Sequence, residues 1–207
     1  MLLLISSLLL MSCGADKYIK KGEKFLALGE YYDAAYQFKQ AYTRTPVKER
    51  DTRGKRALKM AQCYQRINAT PKAIAAYRNA IRYNQASKED QLAYARQLLK
   101  NGDYRQAEKV FLMLKDSMPG NQLIANGLKS AQMAPEWKKQ GSRYIVKRMD
   151  VFNSRRHDYS PVLFGDDYDQ LYFTSTRNEA LGDELSGITG TKAGDIFLSE
   201  KDDRGKW

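Results

Sequence analysis

Ala73 and Ala107 stand 34 positions apart, and each lies within the same order of small, aromatic and turn residues. That period constrains the chain more than any other feature, because a repeat of this length is one helix-turn-helix unit that cannot bury its apolar stripe alone. One copy runs through Ala61, Tyr64, Ala73, Tyr77 and Ala80. The next answers with Ala95, Leu98, Ala107, Phe111 and Leu114, adds the turn Gly102-Asp103-Tyr104 and closes at Pro119. An earlier copy reads Tyr18, Gly22, Phe25, Gly29-Glu30-Tyr31, Ala34, Phe38, Ala41 and Pro46, but its step from Ala34 to Ala73 is 39 positions. Five extra residues therefore fall in the connection Val47 to Lys55. The small residues allow close approach of helix backbones, and the aromatic residue opposite fills the remaining space.

Over residues 15 to 133 this pattern resembles the tetratricopeptide (TPR) family. The resemblance implies a helical-hairpin solenoid of three repeats over residues 18–133, with Asn121–Met133 as a capping helix that carries Leu123, Ile124, Leu128 and Ala131 at helical spacing. It also implies that the first helix of each hairpin lines a concave face, which here receives Ile19 and Glu23, then Leu58, Gln62 and Arg66, then Leu92, Arg96 and Lys100. One TPR subclass grips a C-terminal carboxylate with Lys and Asn residues on this face, but Ile19, Leu58 and Leu92 stand where its lysines are expected. The face is either a partner-binding groove built on Leu58, Gln62, Arg66, Leu92, Arg96 and Lys100, or a solvated surface with the interface elsewhere.

Charge is unevenly shared. The formal net charge is +11, yet residues 14–142 hold 25 basic and 12 acidic side chains while residues 143–207 hold 10 and 12. A basic solenoid suits nucleic acid, an anionic membrane or an acidic protein, or is simply a solvated helical exterior. The N-terminus weighs against nucleic acid. Residues 1–12 are almost wholly Leu, Ile, Ser and Met and end at a cysteine, so they read as a signal peptide core, too short to span a bilayer. Leu10-Met11-Ser12-Cys13 resembles a bacterial lipobox, which implies cleavage before Cys13, lipid on that residue and a tether over residues 13–17. Each buried methylene of such a lipid adds about 0.8 kcal/mol of membrane affinity. No Lys or Arg precedes the apolar run, so the natural start is expected to lie upstream of Met1. Cys63 is the other cysteine, in a small-residue slot beside Tyr64, and reads as a buried, inert thiol.

Beyond Pro135 the spacing shifts toward period two, in Tyr144-Ile145-Val146, Val151-Phe152 and Asp158 to Phe164. Pro161 suits an edge strand. The turn Gly165-Asp166-Asp167 leads into Gln170 to Ser175, and a glycine-rich loop, 177–193, leads into Gly194 to Ser199. Tyr159-Ser160-Pro161, Leu171-Tyr172-Phe173-Thr174-Ser175 with Arg177, Gly194-Asp195-Ile196-Phe197 and Gly205-Lys206-Trp207 together resemble one blade of a WD-like β-propeller of the TolB type. The expected layout is a linker over 134–157 and an incomplete first blade over 158–207, whose outermost strand would follow Trp207 in a longer product.

The order of lipobox, TPR array and propeller blade resembles the envelope lipoproteins of Bacteroidetes that continue into an OmpA-like domain, among them components of the type IX (Por) secretion machinery. What this implies is a non-catalytic scaffold, lipid-anchored in the outer membrane and facing the periplasm. It would dock envelope or secretion proteins, with peptidoglycan as a partner only through an OmpA-like domain that these 207 residues do not contain. The alternative is the N-terminal part or accessory of a propeller-containing hydrolase; a TPR-only assembly lipoprotein is a further option. No catalytic, cofactor or metal site is expected. His157 has no Ser or Cys partner nearby, Asp166, Asp167 and Asp169 lack the closing Glu of a calcium loop, and no phosphate-binding glycine pattern occurs.

Overall fold

The structure, a computed structural model, describes the backbone of residues 2–207 and the side chains of residues 14–207. The lipobox reading, Cys13 included, thus lies outside the described side chains. The chain forms two compact units, Met1–Gly141 and Ser142–Trp207.

The first unit contains, among the described residues, seven helices: α1 (Leu2–Ala27), α2 (Tyr31–Arg44), α3 (Arg50–Arg66), α4 (Thr70–Arg82), α5 (Lys88–Asn101), α6 (Tyr104–Ser117) and α7 (Gln122–Gln140). Each packs on the next, and α5 also touches α7, so three hairpins and a final helix share one core. The repeat period is a packing period. Phe38, Tyr77 and Phe111 hold equivalent places in α2, α4 and α6 and are at most 1% exposed. Their counterparts at the helix crossing, Gly22, Ala61 and Ala95, are small and buried. A Cβ added to Gly22 would stand 2.6 Å from the Phe38 ring, and one added to Gly127 of α7 would collide with the Phe111 ring.

The turns repeat as faithfully as the core. Gly29, Asn68 and Gly102 sit at equivalent positions between the two helices of each hairpin, all left-handed, with φ of 76°, 57° and 84°. The next residue donates its N–H to a carbonyl five residues back each time: Glu30 to Phe25, Ala69 to Tyr64 and Asp103 to Leu98, all at 2.9 Å. This closes the first helix while satisfying one of its orphan carbonyls, and it selects residues that tolerate positive φ. Between hairpins, four of the five extra residues, Arg50 to Arg53, extend the start of α3 by one turn relative to α5.

Two expectations are corrected here. The last helix does not stop at Met133 but continues through Pro135 to Gln140. Proline removes one ladder bond, yet the exposed terminal turn keeps lysines 138 and 139 favourably at the helix's negative end. Tyr144-Ile145-Val146 and Val151-Phe152 form no strand. Ile145 and Val146 are 84% and 93% exposed with no ladder partner, and Asn153 instead folds residues 149–153 into a turn through its bonds with Met149.

The second unit is a three-stranded antiparallel sheet in the order β1 (Asp158–Phe164), β2 (Gln170–Ser175) and β3 (Asp195–Glu200). Pro161 falls in a bulge of the edge strand β1. One sheet face, with Phe173 and Phe197 stacked at 5.9 Å, is covered by Phe152 and Arg177, and Phe152 packs edge-on against Trp207. The other face presents Tyr159, Val162, Phe164, Ile196 and Leu198, all exposed. The loop 177–193 is tied internally: the Lys192 ammonium donates to the carbonyls of Ala180 (2.9 Å) and Asn178 (3.2 Å), and the Leu181 N–H donates to the Asp195 carboxylate.

A buried polar latch holds the covered face. The Asp158 carboxylate accepts from Ser175 Oγ (2.6 Å), the Ser154 N–H (2.6 Å), Arg177 Nη2 (3.0 Å) and Ser154 Oγ (3.0 Å). Burial pushes this carboxyl up, but the hydrogen bonds outweigh it and hold the group at about 2, below its ordinary 3.8.

Gly102→Ala meets no steric obstacle, so its cost is that of left-handed backbone, about 1 kcal/mol, whereas Asn68→Gly should be near neutral by urea unfolding. Because the Asp158 pKa is depressed on folding, its contribution of about 2 kcal/mol is complete above pH 3.8 and lost as pH falls through 2. Asp158→Asn should abolish that acid limb, read from the fluorescence of Trp207.

Candidate partner-binding surface

The first helices of the hairpins, α1, α3 and α5, carry the residues that the repeat pattern places on the inner face. Successive helices are tied by polar contacts. Arg56 Nη2 meets Asp16 Oδ1 at 3.0 Å and Lys59 Nζ meets Glu23 Oε1 at 2.6 Å, joining α3 to α1. Gln62 Nε2 donates to Asp90 Oδ1 at 3.1 Å, and Lys100 Nζ donates to Asn68 Oδ1 at 2.7 Å, joining α5 to α3 and its turn. Asp90 also forms the capping box of α5 with Ser87. The Glu23–Lys59 pair is about half exposed and contributes at most about 1 kcal/mol. What these contacts determine is which charges are consumed.

Of the residues expected on this face, Leu58 is half-buried against the core and Leu92 is 7% exposed within it, so both support the helices from below. Gln62, Arg66, Arg96 and Lys100 are exposed. The Arg66 guanidinium lies 5.7 Å from the Tyr31 ring centroid, with no carboxylate partner among the described residues. Arg96 has no ion pair or hydrogen bond among the described residues and stands one turn before Lys100 on α5. Since Lys100 reaches Asn68, two residues beyond Arg66, all three cations share one end of the face.

Two arginines that the sequence pattern did not single out close the long connection. Arg53 Nη1 donates to the Thr45 carbonyl (2.6 Å) and the Tyr42 carbonyl (3.3 Å). Arg56 Nη1 donates to the Ala41 carbonyl (3.3 Å) and to Thr45 Oγ1, and Arg56 is buried. Both guanidinium groups thereby cap the negative end of α2 from the first turns of α3. The signal available in sequence was only their place in or just after the five-residue insertion, opposite a helix end.

Chemistry needs convergent reactive groups, and the described residues bring none together here. Cys63 is 1% exposed, and burial pushes its thiol up to about 11. A depression of about 390 Å³ beside α6 and α7 is lined by Lys115, Met118, Asn121, Ile124, Leu128 and Gln132, without an acid–base pair. No group of three or more His, Cys, Asp or Glu among the described residues is placed to hold a metal. His157 makes a backbone pairing with Thr176 at the sheet margin, and Asp166, Asp167 and Asp169 belong to an exposed turn. Among these residues no helix is long and apolar enough to cross a membrane.

No protein-family model matches the sequence, and comparison with curated proteins finds no match. Among solved structures, the fold is similar to the C-terminal TPR-containing domain of an FK506-binding-type protein from Plasmodium falciparum. The likeness has a TM-score of 0.52 at 15% identity and covers 63% of this chain and 94% of that one. The helical unit therefore has a TPR-like fold. The second unit is a small three-stranded antiparallel sheet.

Arg56→Ala should lower the stability of the helical unit by about 2 kcal/mol, because it removes a buried guanidinium that donates to the Ala41 carbonyl and Thr45 Oγ1 at the end of α2. Arg96→Ala, with no partner to lose, should change the urea midpoint little; equal losses would refute the capping role.

Proposed function

We propose that this chain is a non-catalytic docking scaffold of the bacterial envelope, lipid-anchored at Cys13 in the outer membrane and facing the periplasm. It binds protein partners along the inner row of its hairpins. The observation that carries the docking role is the exposed set Gln62, Arg66, Arg96 and Lys100, of which Gln62 and Lys100 tie successive repeats, on a TPR-like frame. A solenoid whose adjacent helices are cross-linked by side chains offers a preorganised surface, which lowers the ordering cost of binding. The anchor rests on Leu10-Met11-Ser12-Cys13. The same reading takes the β1–β3 sheet as the beginning of a propeller blade. Apolar residues on both of its faces support that assignment, since a blade is covered on either side by its neighbours. Within this reading, the order of anchor, repeats and blade favours a component of a type IX-like secretion assembly.

Two measurements test it in cells. Cys13→Ala should move the protein from the membrane to the soluble fraction, and unchanged fractionation would remove the anchor. A photo-crosslinking residue at Gln62 or Arg96 should capture protein partners, while one at exposed Met113 on α6 should capture far less. Capture from Met113 but not from the α3 and α5 positions would place docking on the outer helices instead.

A further inference from the structure

The inner row carries more exposed cations than its ion pairs engage. On α1, α3 and α5 the carboxylates Asp16 and Glu23 are spent on Arg56 and Lys59, and Asp90 is spent on its capping box and on Gln62. Asp51 faces Gln85, and nearby Asp103 accepts from Asn101. Glu89 is exposed, but it sits in the first turn of α5, at the opposite end from Arg96 and Lys100. Among the described residues, Lys20, Lys55, Arg66, Arg96 and Lys100 are thus left exposed with no carboxylate partner.

Resting on the docking reading above, we infer that the occupant of this face is an extended protein segment rich in Asp and Glu side chains, seated on Arg66, Arg96 and Lys100. Three features select this chemistry. The cations lie on successive repeats, so they meet successive side chains of a linear polymer. Leu58, half-buried between Lys55 and Gln62, gives an apolar residue of such a segment somewhere to rest. The aromatic residues of α1, α3 and α5 are all at least partly buried, Tyr64 and Tyr94 most, which leaves little ring face for base stacking. Recognition runs through side-chain carboxylates and needs no free C-terminus, because Ile19, Leu58 and Leu92 provide no cations to hold one. Arginine paired with carboxylate adds directional, two-pronged hydrogen bonding to the attraction.

The test uses the full chain and a fluorescein-labelled peptide of alternating Glu, Gly and Leu, blocked at both ends, followed by fluorescence anisotropy. Binding should weaken at least about tenfold when salt rises from about 50 to about 200 mM, and again when Gln replaces Glu. Arg66→Glu combined with Arg96→Glu should abolish it while leaving the helical circular dichroism unchanged, and Arg66→Lys with Arg96→Lys should retain part of it. Equal binding of the Gln and Glu peptides, or an unaffected reversal variant, overturns the acidic-segment inference and leaves the docking role standing. If neither peptide binds and the reversal variant alone fails to float with phosphatidylglycerol vesicles, the cations serve a lipid surface and the inference falls. Failure of the docking role itself is read separately, as absence of crosslinks from Gln62 and Arg96.

Discussion

The fold of the helical unit depends on one recurring contact, an aromatic ring set against a residue with almost no side chain. Phe38 over Gly22 is the tightest case: any Cβ at that glycine would have to displace the ring. Burying each ring contributes about 3 kcal/mol, but only if the facing helix comes close enough to exclude water, and that distance is what Gly22, Ala61 and Ala95 set. Once the crossing is fixed, the turn has no freedom either. A left-handed residue and an N–H reaching five residues back recur in all three hairpins. Core, crossing and turn are one constraint expressed three times.

That stacking in turn decides the electrostatics of the surface. Bringing α1, α3 and α5 side by side places Asp16 within reach of Arg56 and Glu23 within reach of Lys59. Each pair individually adds little stability and uses one charge of each sign, so the excess of cations on the row persists at residues outside the pairs. Net charge alone could not have located this. Counting 25 basic against 12 acidic residues describes a basic unit, whereas the contacts concentrate the unpaired part at Arg66, Arg96 and Lys100.

How much of this was legible in the sequence follows from whether a feature is periodic. The small and aromatic positions, the turns at Gly29 and Gly102 and the exposed places of Gln62, Arg66 and Arg96 repeat at fixed spacing and could be read directly. Leu92 looked like a surface residue by the same alignment but lies in the core, because apolar residues bordering a buried stripe are drawn under it. Asn68 was not recognised as a turn residue because the pattern there lacks glycine, although its side chain also tolerates positive φ. The capping role of Arg53 and Arg56 left no periodic trace, since it serves the one connection that breaks the period.

The sheet unit illustrates the opposite regime, in which polar contacts rather than a repeated core make the structure specific. Three short strands bury little, and Phe173 is the one sheet residue with a largely enclosed ring. Asp158, Ser175 and Arg177 compensate by linking the first strand, the second and the loop after it through a single carboxylate. Ser175 Oγ donates to that carboxylate while accepting from the Arg177 guanidinium at 2.8 Å. Arg177 then lies 4.9 Å from the Phe173 ring centroid and 4.8 Å from that of Phe197, so the same side chain that completes the polar latch also roofs the aromatic pair. Removing its charge would open both at once.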